Sequence, residues 1–307
     1  MFKYVFKRVM VGLVTLFLLA SATFFLMKFT PGSPISSERL KTEEARKAAI
    51  EKYHLDKSIP EQYAIYIGGV LHGDLGESMT STTKGQQATD LIGRSFPVTA
   101  RLGTVAFVIA LVGGIGLGTA AALSKRKWIN NLCMFVATIG VSVPSFLLAL
   151  LMIIVFGVYL RILPFIGLKS PIHYIMPATT LALYPIATIA RLTRSSMLEV
   201  MKQDYIILAR SKGTPYKKVV MKHALKNAML PVITYAGPMF AFMLTGSFVI
   251  ESVFSIPGIG QLMVSSIQNR DYSMIMAVTI FLGALVITFN ILADIVSAAI
   301  DPRIKLK

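Results

Sequence analysis

Four histidines, one cysteine and fifteen acidic side chains are what this 307-residue chain offers for acid–base, nucleophilic or metal chemistry. Their spacing assembles none of it. His54, His72, His173 and His223 show no paired ligand spacing and read as solvated polar residues, three on the external side and one in a cytoplasmic excursion. Cys133 is the sole cysteine, so no internal disulfide or multi-cysteine metal centre forms within the chain. No serine stands in a G-x-S-x-G context, and no G-x-x-x-x-G-K-[ST] stretch is present to cradle a phosphate. Asp294 is the one acid well inside an apolar run, towards its cytoplasmic end. An ion-driven carrier needs a carboxylate relay near the midplane, so any energy for transport is expected from outside the chain. The reading is a conduit or a scaffold, not an enzyme, with neither cofactor nor metal of its own.

The elements that would form such a conduit are read from composition. Hydrophobic residues make up 54% of the chain and the mean hydropathy is +0.66, too apolar for a soluble domain. Spanning the hydrocarbon takes roughly 20 helical residues, and runs of that kind lie near 9–29, 96–123, 132–160, 172–192, 229–250 and 274–300. The expected fold is all-α and polytopic, with about six transmembrane helices. Ala20-Ser21-Ala22 offers a cleavage pattern, but the apolar stretch continues through Met27, so an uncleaved first span is expected. The segment divides as 1–30 (first helix), 31–95 (external loop with short amphipathic helices) and 96–307 (permeation core, including 196–228).

Charge orients the chain. Eighteen of the 31 Lys and Arg fall in the pieces that are cytoplasmic if both termini are inside, whereas 31–95 holds nine acids against eight bases. The formal +16 lies at the borders of apolar runs rather than across one soluble face, so membrane lipid accounts for it and nucleic acid is not called for.

One segment stands apart. Nine charged residues fall between Glu199 and Lys226. At roughly 3 kcal/mol each at a bilayer centre, their burial would cost on the order of 27 kcal/mol. Asp204 to Val232 is therefore a cytoplasmic excursion. Ser196 to Arg210 reads as a helix with Met197, Met201, Tyr205 and Leu208 on one face, stopped at Gly213. Thr214 fits an N-cap and Pro215 the first position of a second helix running to about Ala228, with Val219, Val220, His223 and Ala224 on one side. Leu230-Pro231 marks re-entry. A rigid helix–turn–helix elbow suits the transmission of force; on shape alone, an interfacial pair that only anchors the fold is an equal reading.

Elsewhere, Thr42 is expected to cap a helix carrying Glu43 and Glu44, and Ser58-Ile59-Pro60-Glu61 to open a second helix with Tyr63, Tyr66, Ile67 and Val70 on one face, ending at Gly73. These external helices pack on the protein's own spans or dock a partner. Gly113, Gly114, Gly116 and Gly118 form a small-residue face for close helix approach. Pro144, Pro185 and Pro238 favour kinks or breaks.

At the elbow the chain resembles the permease subunits of ABC importers, whose cytoplasmic loop carries E-A-A-x-x-x-G followed by L-P. Here the pattern stands as Ile207-Leu208-Ala209-Arg210-Ser211-Lys212-Gly213, with Leu230-Pro231 after it. The missing Glu-Ala and the form A-R-S-K-G after Asp204-Tyr205 are similar to the dipeptide, oligopeptide and nickel branch. Further motifs agree in order: F-T-P-G-S-P ending at Pro34, Gly73-Asp74-Leu75-Gly76, Phe96-Pro97-Val98-Thr99, Ser142 to Phe146, Arg191-Leu192-Thr193-Arg194, ESVFSIPGIG at 251–260, Asn269-Arg270-Asp271-Tyr272 and Asp301-Pro302-Arg303. Within the branch the chain most resembles the B-type oligopeptide permeases.

The resemblance implies a type I importer permease in the bacterial plasma membrane, moving peptides by alternating access. Its implied partners are a homologous second permease, two cytoplasmic ATPase subunits holding ATP and Mg, and an extracytoplasmic peptide-binding protein. It implies ATPase coupling through Asp204, Tyr205, Ala209, Ser211, Lys212, Gly213, Thr214, Tyr216, Leu230 and Pro231. The loop with Glu251, Phe254, Pro257, Gly258 and Gly260 faces the binding protein or is only a tight re-entrant connection. Ser142, Ser145, Thr188, Thr234 and Asn290 are candidates to line the pathway. A nickel-chelate or dipeptide importer, an ion-coupled secondary carrier and a membrane scaffold are the alternative functions.

Overall fold

The computed structural model describes residues 2–31, 43–80 and 83–300. Thr42, the expected cap, and the motifs at Pro34 and Asp301-Pro302-Arg303 lie outside the described residues. Among those described the chain is helical, its one strand-like feature being a single antiparallel bridge between Glu77 and Gln87. Four helices are long and apolar enough to cross a membrane: Tyr4–Phe29, Ala88–Leu123, Pro171–Val200 and Tyr272–Ile295. Two bent pairs bring the number to six if each counts as one span: Lys127–Ser142 with Ser145–Tyr159 (106°), and Tyr216–Ala228 with Leu230–Leu244 (53°). Pro144 stands at the first bend, whereas helix continues through Pro185 and Pro238 without a break.

The contacts divide the chain into two units. The first comprises the described residues within Met1–Thr99 and Pro257–Thr288. It contains α1 (Phe2–Phe29), α2 (Glu43–Lys52), α3 (Ile59–Leu71), the start of α4 (Ala88–Leu123), and, further along the chain, the helix Ile259–Gln268 and the start of the helix Tyr272–Ile300. Glu61 accepts hydrogen bonds from the Ser58 backbone N–H (3.0 Å) and hydroxyl (2.9 Å), which opens α3 at the expected place. His72 and Gly73, the latter at φ +80°, close it. α3 lies on α1: Tyr63 shares a 2.6 Å hydrogen bond with Ser21, and the Tyr63 and Tyr66 rings sit 5.3 and 5.6 Å from Phe24. α3 thus packs on its own chain through the face read from the sequence.

Asp271, buried to 1% exposure, organises the rest of this unit. Its carboxylate accepts from the Met274 backbone N–H (3.2 Å), capping the last long helix, and from the Ser78 hydroxyl (2.6 Å) and Met79 N–H (3.0 Å) of a loop almost two hundred residues earlier. An apolar cluster of Ala88, Leu91, Ile92, Ile259, Met274, Ala277 and Val278 forms beneath it.

The second unit comprises the described residues within Ala100–Ile256 and Phe289–Lys307. After α4 come α5 (Lys127–Ser142), α6 (Ser145–Met152) with a π-helical turn Ile153–Tyr159, and α7 (Ile175–Val200). The glycine face of α4 is used against α7. A Cβ on Gly114 would meet the Ile189 side chain at 2.6 Å, and one on Gly118 would meet the Ala190 carbonyl oxygen at 2.5 Å. Gly116, with open space around it, is not part of this contact. Gly140 of α5 fits as closely against Leu183 of α7. Without water to drive helices together, approach at this distance is what gives membrane helices their dispersion contacts.

Candidate functional site

The elbow follows α7 in the second unit. The helix expected over Ser196–Arg210 is interrupted: α7 ends at Val200, a turn occupies 201–203, and α8 (Asp204–Ser211) begins anew, with Asp204 in its first turn where the helix dipole favours an acid. The interruption splits the face of Met197, Met201, Tyr205 and Leu208, of which Met197 is buried and Met201 half-buried. Ile206 is fully buried, whereas Tyr205 and Leu208 are exposed.

Gly213 ends α8 through backbone bonding of a definite kind. The Gly213 N–H donates to Arg210 C=O (2.9 Å) and the Thr214 N–H to Ala209 C=O (3.2 Å), the paired bonds of a Schellman motif, with Gly213 at φ +76°. No atom lies within 4 Å of where its Cβ would be. The requirement at 213 is thus conformational rather than steric.

The second arm starts one residue later than expected. Pro215, not Thr214, is the N-cap, and its carbonyl accepts from the Lys218 (2.9 Å) and Val219 (3.0 Å) N–H groups. Tyr216–Lys218 then runs into a π-helical stretch, Val219–Ala224, and on through Leu225–Ala228. The wider turn changes which side chains face inward. Val219, Val220 and Ala224 are buried as expected, but His223 is exposed, because a period nearer 4.4 than 3.6 residues rotates it off that face.

The two arms are fused by a core of their own. Met197, Ile206, Val219, Val220, Ala224 and Ala228 form one buried cluster, joined by the α4 end residues Ala122 and Leu123 and by Ala209. Asn227 donates to the Tyr205 hydroxyl at 2.8 Å, tying the two ends of the elbow, and the Arg210 guanidinium lies 5.5 Å from the Tyr216 ring centre across the turn. Arg194 donates to Asn130 at 2.7 Å, binding α7 to α5 just above. The outside is different in character. Ile207, Leu208, Tyr216 and Met221 are 54–55% exposed on the two arms, and the basic Lys212, Lys217 and Lys218 of the same arms are exposed with them, so the elbow's outer surface is an apolar patch that also carries positive charge. Such a patch is suited to a protein partner. Ser211 and Lys212 are also exposed, Ala209 and Thr214 half-buried, and Leu230-Pro231 opens the next span at the 53° bend.

The chain matches two family models end to end along its length. Residues 114–306 match the binding-protein-dependent transport system inner membrane component, and residues 1–104 its N-terminal counterpart. The chain belongs to this family. It is a membrane permease subunit of ABC importers and not their ATPase. Among its relatives are the dipeptide transport system permease protein of Bacillus subtilis, 43% identical over all of this chain and 99% of that one, and the oligopeptide transport system permease protein of Haemophilus influenzae, 42% identical over 99% of this chain and all of that one. The resemblance drawn from the elbow and its flanking motifs is borne out. Of solved structures, an inward-facing methionine ABC transporter aligns with a TM-score of 0.57 at 20% identity, covering 69% of this chain and 97% of that one, and an amino acid ABC transporter with 0.54 at 18%, covering 69% and 94%. These establish the type I importer fold.

The remaining residues singled out in the permease lie as follows. Glu251 and Phe254 are buried at 0% and 1% exposure, Glu251 within the short helix Phe248–Val253. Gly258 and Gly260 are buried too, leaving Pro257 exposed. Ser142, Ser145 and Thr234 are exposed, and Thr188 and Asn290 half-buried. Ser142 and Thr234 donate to the carbonyls four residues back at 3.1 Å, so their oxygens remain available as acceptors. Sequence reading gave no role to Ile206 or Asn227, and it named Asp271 only within the motif Asn269-Arg270-Asp271-Tyr272. Ile206 and Asn227 act through partners on the other arm of the elbow, and two partners of Asp271 lie almost two hundred residues away, so none carries a local signal.

Proposed function

We propose that this permease forms half of a peptide pathway, oligopeptides being its first substrates, and that ATP hydrolysis in partner subunits drives it through the elbow. The observation that carries the reading is the elbow itself: a turn fixed by the Gly213 Schellman bonds, a private core around Ile206, and an exposed apolar patch facing away from that core. A push on the patch moves both arms as one body and, through Ala122, Leu123 and Met197, reaches two spans. Asp204, Tyr205, Ser211, Lys212, Thr214 and Tyr216 supply the contact, while Ala209 and Gly213 shape the turn. The full-length likeness to dipeptide and oligopeptide permeases supports the substrate class.

In this reading both termini are cytoplasmic, ATP and Mg²⁺ are held by two ATPase subunits, and a homologous second permease completes the pathway. Ser142, Ser145, Thr188, Thr234 and Asn290 line it. A peptide-binding protein docks outside on the 251–260 loop, where Pro257 is available and Glu251, Phe254, Gly258 and Gly260 hold the turn. Proteoliposomes bearing the full complex test the reading. Tripeptide uptake is expected with ATP and the binding protein present and unaffected by ionophores; uptake by this chain alone, driven by a proton or sodium gradient, would replace it with a secondary carrier.

A further inference from the structure

The 160–174 connection, between the π-turn that ends the third span and the start of α7, surrounds a cavity of 590 Å³. Its walls include Arg161, Lys169 and His173 and no carboxylate, beside Leu163, Pro164 and Phe165. We propose that this cavity binds the headgroup of an anionic phospholipid.

Three observations support it. The first is charge: two permanent cations share a cavity with no acid in its wall, and an anion is the complement. The second is construction. The connection is held by Leu160 N–H to Val155 C=O (2.8 Å), Ile162 N–H to Phe156 C=O (3.0 Å) and Gly167 N–H to Phe254 C=O (2.8 Å). A Cβ on Gly157 would meet the Phe165 ring at 2.6 Å, so that ring is seated directly on the span end. Arg161 is kept at φ +54°, a left-handed conformation that a non-glycine residue adopts at a cost, and Ser170 fixes the His173 ring through Nδ1 at 2.8 Å. The third is position. Ile162 and Ile166 of the cavity wall, and Val158, Tyr159 and Leu160 directly before Arg161 in the chain, are each at least half exposed where the candidate span Lys127–Tyr159 ends. A soluble anion would use the cations but leave these apolar side chains in water; a phospholipid satisfies both.

The inference rests on the membrane-spanning reading of the flanking helices and not on peptide transport, so it stands or falls separately. The test uses the whole chain in phosphatidylcholine nanodiscs doped with a photoactivatable phosphatidylglycerol, reading adducts by mass spectrometry. Adducts on 157–173 are expected to exceed those from photoactivatable phosphatidylcholine. At about 5-fold per basic residue near an anionic surface, the double variant Arg161→Gln, Lys169→Gln should lower them about 25-fold. Arg161→Lys should restore most of the labelling to the Lys169 single-charge background, which separates charge from misfolding. Equal labelling by the two lipids, or undiminished labelling of the double variant, overturns the proposal. So does loss of phosphatidylglycerol labelling on adding millimolar inorganic phosphate or tripeptide, which would make the cavity a site for soluble anions.

Discussion

Replacing Gly213 with valine isolates what the elbow does. A Cβ at 213 meets nothing within 4 Å, so the substitution creates no collision with the rest of the chain. What it opposes is φ +76°: holding an L-residue in the left-handed region costs about 1–2 kcal/mol, and a β-branched side chain lies at the upper end. At ~1.4 kcal/mol per tenfold, that is a 5- to 30-fold shift towards conformers in which the Arg210–Gly213 and Ala209–Thr214 bonds are broken and the two arms move independently. Asparagine tolerates the left-handed region better than valine, so Gly213→Asn should be the milder variant. The assay is peptide uptake and peptide-stimulated ATP hydrolysis in reconstituted complexes of equal subunit content, with the neighbouring exposed Ser211→Ala as control. Uptake per ATP hydrolysed should fall in the order glycine, asparagine, valine. If Gly213→Val assembles normally and keeps both uptake and stimulation, the elbow is an anchor and force does not pass through its turn.

Three further outcomes follow from other parts of the fold. Gly118→Leu should destabilise the permease by about 1–3 kcal/mol, because its side chain must displace α7 at the Ala190 carbonyl; a lower melting temperature in detergent checks it, and Gly116→Leu, pointing into open space, should leave it unchanged. Asp271→Ala removes a buried carboxylate that serves three donors, and leaving them unpaired should cost about 2–4 kcal/mol, read as faster hydrogen exchange at Met79 and Met274. Hydrogen bonds from Ser58 hold the Glu61 carboxyl below its ordinary value. A depressed carboxylate stabilises the fold above its unfolded pKa, and that contribution is lost as pH falls through the folded one, so acidification should fray α3 from its start; Ser58→Ala should raise the Glu61 titration midpoint in an NMR titration.

How much of this was legible in the sequence depends on how local the cause is. The capping box at Ser58, the stop at Gly213 and the close-packing glycines at 114 and 118 are local chemistry, and each stands where its pattern put it. The expectation that 204–228 stays out of the membrane rests on charge alone. What was not legible depends on geometry between distant or irregular segments. The N-cap of the second arm moved from Thr214 to Pro215 because the Thr214 N–H is already used by the Schellman turn. His223 left the buried face because the helix widens into a π-turn, which no 3.6-residue pattern foretells. Of the three prolines expected to kink or break a helix, Pro144 stands at a break, while helix continues through Pro185 and Pro238. Glu251 and Phe254, read as part of a loop that faces the binding protein or makes a tight re-entrant connection, are both buried, Glu251 inside the short helix Phe248–Val253 and Phe254 at its end.

The central claim, that ATP-driven force enters at the elbow, is tested most directly by locking that contact. Cys133 is the only native cysteine, so Cys133→Ser with Tyr216→Cys places a single thiol on the exposed patch, to be paired with single cysteines on the facing surface of the ATPase subunit. A disulfide is expected to form, uptake and stimulated hydrolysis to stop together when it does, and both to return on reduction. A complex that transports peptide normally while crosslinked there, or one in which no ATPase position reaches residue 216, would contradict it.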